Sequence, residues 1–437
     1  MALVLDPEMY SYHMGEWGFN EDSPLGRIDF EMMLKDKQGR TRRKMKEYGL
    51  SAVICLTESN VEYTTNIPAI FPGGAAIGGN RYAIFPLEGT PVGFEECQTA
   101  FVLKHHLPNI RVEYSITGWG GPNAASAKEA QLYLADSFAE QIYSILKEMK
   151  IEKEKIGIDS SVPIIIEALK RRGLNVSLEG GQALFESRSI KTPMELECFR
   201  ALASVVDGCF ATLAKNLKPG VTERKVFAKC LGYAIENGLT VSGGFIVSGA
   251  HTWPKDNTAQ ATSRRIRPGD LVYADFFNFG FFGYRSCYYR TFSVGPASKE
   301  VKETYARVYN WLDEAEKQVR PGSTTADVVS SWPDETSLWS DKPPYIRSHN
   351  DTLSTFWMNM GHGLGLSLYE PPFFWRPTAL KWPQRLEADT AVALETLDCT
   401  PDAKCGVRIE DMILVTDSGH EVISKWPREE VTEVPLY

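Results

Sequence analysis

Histidine is scarce in this 437-residue chain: there are seven, so each one in a polar setting is a candidate for chemistry. Eight cysteines (55, 97, 198, 209, 230, 287, 399 and 405) are scattered with no CxxC pair. A disulfide framework is not expected in so long a chain, and a reduced, cytoplasmic setting fits better. No uninterrupted apolar run approaches the roughly 20 residues of a membrane-crossing helix. The opening MALVLDPEMYSYHMGEWGFNEDSP has no basic stretch followed by an apolar one, so no signal peptide is expected. Basic excess is missing as well: Lys+Arg 47 against Asp+Glu 56 gives a net charge of -9 and a pI near 5.5. That balance excludes a protein that wraps nucleic acid or lies on an anionic membrane. Internal repeats and low-complexity linkers are also wanting. What is present is ordinary for a globular protein, with 43% hydrophobic and 24% charged residues. At about 150 residues per domain, the length points to about two or three domains.

Residues 1–30 are aromatic and broken by Gly15, Gly18 and Pro24, and read as an arm that must dock to be ordered. A basic helical stretch from Phe30 stops at Gly49, and SAVICL follows as a buried strand. Two apolar stretches around Glu88-Gly89 predict a hairpin. A polar helix from about Ala125 to Lys150, a strand at Lys155–Asp159, a helix at Pro163–Arg172 and a strand at Asn175–Ser177 continue the alternation. That alternation predicts an α/β domain over residues 31–184. In residues 185–437, Thr192 and Glu195 form a capping-box pattern ahead of a long amphipathic helix. Strand-like runs then surround a helix at Lys299–Lys317. Helices segregated from antiparallel-looking strands predict α+β.

Five polar residues stand among the apolar strands of this second region. Asp275 lies in LVYADFF, Cys287 in GYRSCYYRTF and His362 in MGHGLGL. Glu395 and Glu410 lie fifteen residues apart, as two strands of a hairpin would place them. Charges buried in strands need partners, and Arg285, Arg290 and Arg408 are within reach in the sequence. The glycines around His362 let other groups approach closely. A lone buried glutamate is commonly salt-bridged, and a lone strand cysteine is commonly a small hydrophobe.

The order Asp275, His362 in GHGLG, Glu395 and Glu410 after an α/β domain resembles the M24 superfamily. That superfamily holds prolidases, methionine aminopeptidases, creatinases and M24-type dimethylsulfoniopropionate lyases. SRSIKTPMELECFRAL, LKPGVTERKV, RIRPGDLVYADF, MGHGLGLSLYEPP and VRIEDMILVTDSGHEVIS follow in family order. The resemblance implies a pita-bread C-terminal domain behind a smaller creatinase-type α/β domain, and a homodimer. Its peptidases bind two metals with two Asp, one His and two Glu, and the matching positions hold Asp275 (or its near neighbour Phe277), Cys287, His362, Glu395 and Glu410. The bridging carboxylate is therefore replaced by Cys287. The spacing from Asp275 to Cys287 is one longer than in peptidases and suits the lyases, which carry a further acidic ligand where Phe277 stands. Tyr369 occupies the place of a second peptidase histidine, Leu368 that of a lyase aspartate, and about Thr258 that of a creatinase histidine. His251 and Asn257 are near but shifted.

These departures argue against a dinuclear site. The remaining Cys287, His362, Glu395 and Glu410 fit either a thiolate activated by its neighbours, without metal, or a single Zn or Fe ion. The metal-free site is favoured here, so no cofactor is expected. Catalytic candidates are Cys287, His362, Glu395, Glu410, Tyr369 and Asp275. An aromatic cage for a cationic small molecule is expected from Trp253, Phe277, Tyr284, Tyr288, Trp357 and Trp375, with Arg408 alongside. The expected function is a non-peptidase hydrolase of a C–N bond in a small cationic or zwitterionic metabolite, similar to creatinase. A C–S lyase of an onium acid, a mononuclear aminopeptidase or prolidase-like enzyme, and a non-catalytic binding protein are the alternatives. No nucleic-acid or membrane partner is expected.

Overall fold

The computed structural model describes residues 28–67, 81–96, 100, 103–104, 107, 109–116, 127–253, 260–333, 359–402 and 404–437. The N-terminal arm through residue 27, Trp357, Asn257 and the Thr258 position lie outside the described residues. The chain divides into two compact units, Met1–Arg188 and Ser189–Tyr437.

In the first unit the described strands β1 (Ala52–Cys55), β2 (Tyr82–Pro86), β3 (Val92–Glu95), β4 (Arg111–Tyr114), β5 (Lys155–Ile158) and β6 (Asn175–Ser177) form one sheet. Their order is β4-β3-β2-β1-β5-β6. The hairpin expected around Glu88-Gly89 is the antiparallel pair β2–β3, whereas β1–β5 and β5–β6 run parallel. All four residues of β1 are buried, which fits a strand covered on both faces. The helix α1 (Phe30–Glu47) begins where the Asp29 side chain accepts from the Met32 N–H.

The second unit opens with α2 (Pro193–Asn216). The Thr192 hydroxyl accepts from the Glu195 N–H while the Glu195 carboxylate accepts from the Thr192 N–H, which closes the capping box. The strands β7 (Thr240–Val241), β8 (Phe245–Ser248), β9 (Leu271–Asp275), β10 (Phe279–Phe281), β11 (Tyr284–Arg285) and β12 (Tyr289–Val294) follow. After the helix α3 (Lys299–Glu316) come β13 (Asn359–Gly363), β14 (Glu370–Trp375), β15 (Ala391–Cys399), β16 (Gly406–Val415), β17 (His420–Val422) and β18 (Thr432–Val434). One sheet runs β18-β12-β9-β8 and another runs β14-β13-β15-β16-β17. The mixed α and β content, with antiparallel pairing throughout these two sheets except for the parallel pair β12–β18, is the α+β architecture expected of the pita-bread fold.

Two features bring these sheets together around one pocket. The Thr291 hydroxyl on β12 donates to the Arg408 carbonyl at 2.9 Å and accepts from the Arg408 N–H at 2.9 Å, tying β12 to β16. On the other side, glycine lets β13 sit tight. A Cβ at Gly361 would lie 2.3 Å from the Ala393 carbonyl oxygen, and one at Gly363 would lie 2.3 Å from that of Pro371. The glycines around His362 therefore admit neighbouring backbone, and they hold the histidine between β14 and β15.

Candidate metal centre

Asp275 ends β9 and pairs in register with Tyr289, the first residue of β12. Cys287 stands two residues before Tyr289, so both are delivered by the same short turn into β12. His362 pairs with Ala393, and Glu395 pairs directly with Glu410 across β15 and β16, as the fifteen-residue spacing anticipates. Residues opposed on neighbouring strands point to one face, so the two glutamates share the pocket.

The closest grouping is Cys287, His362 and Glu410. All three are buried, and one ligand atom from each lies within 4.8 Å of the others. The donors are also bare. His362 Nδ1 sits 2.9 Å from the Gly363 carbonyl oxygen, which only accepts, so Nδ1 carries the hydrogen. Nε2 then offers a lone pair and makes no hydrogen bond of ordinary geometry, although the Leu368 backbone also interacts with the ring. Neither carboxylate oxygen of Glu410 accepts a hydrogen bond of ordinary geometry, although the Cys287 thiol interacts with it. Oδ1 of Asp275 is unpartnered too. Buried polar atoms left bare cost about 1–3 kcal/mol each, and those of His362 and Glu410, gathered with Cys287 within 4.8 Å, mark a place built for something to bind.

The electrostatics agree. Burial pulls His362 down to about 4, so its imidazole is neutral. Burial, reinforced by Glu410, Asp275 and Glu395, pushes the Cys287 thiol well up. Burial likewise raises Glu410, with Glu395 and Asp275 adding to it. Asp275 is raised to about 8 by burial, with Glu395 adding and Arg408 opposing. Burial raises Glu395 too, and three acids and a thiol that resist ionisation together are short of positive charge, which a divalent ion supplies. Sulfur, imidazole nitrogen and carboxylate oxygen are the donor types that suit one Zn²⁺ or Fe²⁺, and about 3.5 Å between donors is what a tetrahedral zinc site needs. The residues fit a single ion.

A second ion has a competitor. Arg408 is fully buried, and burial opposes its charge, but the Tyr273 and Tyr289 hydroxyls, Glu395 and Asp275 more than offset that. Its guanidinium lies 5.1 Å from the Tyr273 ring centroid and 5.7 Å from that of Tyr289. Tyr289 in turn donates to Glu395 Oε2 at 2.7 Å. Glu395 and Asp275 are therefore served by a fixed cation and a phenol, apart from the Cys287–His362–Glu410 grouping. Of the three arginines considered from the sequence, Arg408 is the partner, Arg290 turns to Asp411, and Arg285 lies against Gly280 on β10.

Several expected roles change with these positions. The activated thiolate needs a low thiol pKa beside a charged imidazole, and burial drives both groups the other way. The aromatic cage does not assemble from the described residues. Tyr284 is buried and donates to Glu195 at 2.9 Å. Tyr288 is buried and donates to Asp207 at 2.9 Å, with its ring packed on Phe210. Trp253 is buried against Gly406 at the start of β16, and Phe277 packs on Phe245. Trp375 is half-buried at the Asn359 end of β14. Tyr284, Tyr288 and Trp253 are thus buried in packing, and Phe277 and Trp375 are only half-buried. Tyr369 does reach the site: it is 58% exposed and lies edge-on to His362 with ring centroids 4.6 Å apart.

The sequence from Glu197 to Asp417 matches the model of metallopeptidase family M24. The chain belongs to this family. Curated M24 relatives include a probable dipeptidase PepE of Mycobacterium tuberculosis, 26% identical over 242 residues, which are 55% of this chain and 60% of that protein. An Xaa-Pro dipeptidase of Pyrococcus furiosus is 26% identical over 304 residues, 66% of this chain and 78% of that protein. The chain thus spans less than two thirds of the length of the mycobacterial relative. Among solved structures, the Xaa-Pro dipeptidase from Bacillus anthracis superposes with a TM-score of 0.68 at 23% identity, over 92% of this chain and 99% of that one. The prolidase from Pyrococcus horikoshii gives 0.67 at 22%, over 91% and 100%. The family match places the chain in M24, and the solved structures show that it has their fold. They overturn the expectation of a non-peptidase, creatinase-like enzyme, because the relatives are named as dipeptidases and prolidases. That expectation had rested on the lost bridging carboxylate, which bears on how many ions are held more than on which bond is broken.

Two features were passed over at the sequence level. Tyr289, which the sequence reading does not single out, opens β12 opposite Asp275 and serves the acid Glu395. Asp411 was overlooked beside Glu410, although a second charge in a buried strand must face away from the first and needs its own partner.

Proposed function

We propose that the chain is a small-peptide hydrolase of the dipeptidase and prolidase kind, working with one divalent ion held by Cys287, His362 and Glu410. The observation that carries this reading is the buried triad with bare donor atoms within 4.8 Å of one another. The dipeptidase names of its relatives support the substrate class. When bound, an ion there supplies Lewis-acid polarisation of the scissile carbonyl and makes water more acidic. The chain's own groups do the rest. Burial raises the Glu395 carboxyl, and Tyr289 donates to its Oε2. A proton carried by Glu395 therefore sits on Oε1, where it can pass to the departing amine. Arg408 balances the charge left on Asp275 and Glu395, and Tyr369 flanks the entrance beside His362. A homodimer in the cytoplasm belongs to the same reading. It is supported by the family resemblance, by the seven described cysteines being free, and by no described helix being long and apolar enough to cross a membrane. The test is hydrolysis of a panel of dipeptides, including Xaa-Pro, by zinc-loaded protein. Turnover that is lost with a chelator and restored by zinc supports the proposal, and no cleavage of any dipeptide by zinc-loaded protein overturns it.

A further inference from the structure

Behind the triad, on the opposite face of β16, lies a buried ionic network that the chemistry above does not use. Glu410 points into the pocket, so Asp411 points away from it. Asp411 Oδ1 accepts from Arg290 Nη2 at 2.6 Å and from the Ser424 hydroxyl, and its Oδ2 accepts from Arg428 Nη1. Arg290 does more than pair with this carboxylate. Its Nη1 donates to the backbone carbonyl of Glu410 itself and to that of Tyr289 at 3.1 Å. Its Nε and Nη2 donate to the Trp426 carbonyl at 3.3 Å. The guanidinium is 1% exposed and stacks over the Tyr288 ring, 4.5 Å from its centroid. Residues 424–426 are pinned in turn: Ser424 accepts from the Met412 N–H, and the Trp426 N–H donates to Asp207 at 2.9 Å.

A buried ion pair is a weak source of net stability, because desolvating two charges offsets most of their attraction. What this network does provide is fixed geometry. One planar fork grips the peptide that carries Glu410, the side chain next to it, and the carbonyl of a distant segment. We infer that Arg290 is a positioning residue for Glu410, and that residues 424–428 brace it from behind. The inference rests on Glu410 being a ligand, as proposed above. Groups that orient ligands from outside the coordination sphere are typically worth 10–100-fold in metal affinity.

The experiment measures the zinc Kd of the full-length protein by competition with a chromophoric chelator, together with the melting temperature of ion-free protein. Arg290→Lys keeps the charge and loses the fork, and is expected to weaken zinc binding about 10–100-fold while the near-ultraviolet circular dichroism stays native. Should Arg290→Lys fail to fold, Ser424→Ala removes one of the three donors on Asp411 and is expected to weaken zinc binding about threefold or more. Glu410→Gln is the control for ligation. A folded variant with a lower melting temperature but a zinc Kd within about twofold of the parent overturns the positioning role, since structure alone predicts that pattern. If the parent binds no zinc, or Glu410→Gln leaves its Kd unchanged, the ligand assignment falls, and the positioning role falls with it.

Discussion

Removing the Cys287 sulfur separates a ligand from a space-filler. In ion-free protein the thiol is 6% exposed and surrounded by Glu410, Asp275 and Glu395. Cys287→Ala deletes one atom, and the cavity it leaves costs about 1 kcal/mol at most. Ion binding responds far more strongly. Structural zinc sites with four ligands yield about 10–16 kcal/mol, or about 3 kcal/mol per ligand. At 1.4 kcal/mol per decade, loss of the thiolate should weaken zinc binding by about two orders of magnitude. The consequence for stability is also calculable. At a zinc concentration 1,000 times the parent Kd, binding stabilises the fold by about 4 kcal/mol, and a hundredfold weaker variant keeps only about 1.4 kcal/mol of that. Thermal melts with and without zinc, beside a chelator-competition titration, read both numbers. If Cys287→Ala keeps the parent's zinc Kd and zinc-dependent melting shift, Cys287 is not a ligand and the triad is wrong.

Gly363→Ala should destabilise the fold by about 1–3 kcal/mol and weaken zinc binding, because its Cβ would meet the Pro371 carbonyl oxygen at 2.3 Å and push β13 from β14; chemical denaturation checks the first effect and chelator competition the second. Glu316 gives a pH prediction remote from the pocket. It shares Arg428 with Asp411, and burial, with the Asp411 charge, raises it to about 8. A folded-state value above the unfolded one means the stabilisation is complete below about 4.5 and is lost as pH rises through about 8, at up to about 1.4 kcal/mol per pH unit. Glu316→Gln should therefore flatten the fall in stability between pH 5 and 8, and an unchanged slope in urea melts across that range would exclude this role. Sedimentation at micromolar concentration should show a homodimer, and a monomer would count against that part of the proposal.

The elements nearest the site were legible because their signals are local. The capping box at Thr192 and Glu195, the Glu395–Glu410 register and the glycines around His362 each follow from short-range rules of spacing and backbone freedom. The aromatic cage was not legible. Tyr284 and Tyr288 are close to Cys287 in sequence, yet their hydroxyls are claimed by Glu195 and Asp207, which lie 89 and 81 residues away along the chain. The state of Cys287 was likewise out of reach. A thiol beside histidine suggests activation, but complete burial among carboxylates reverses the sign of its shift. Arg408 was one of three arginines within reach, and only the pairing of β12 with β16 through Thr291 selects it.

The central claim is one ion per chain, at Cys287, His362 and Glu410, with Arg408 serving the half of the pocket where a second would bind. Elemental analysis of protein reconstituted with excess zinc and freed of unbound metal tests it directly. The account predicts one zinc per chain; two per chain, or none, would contradict it.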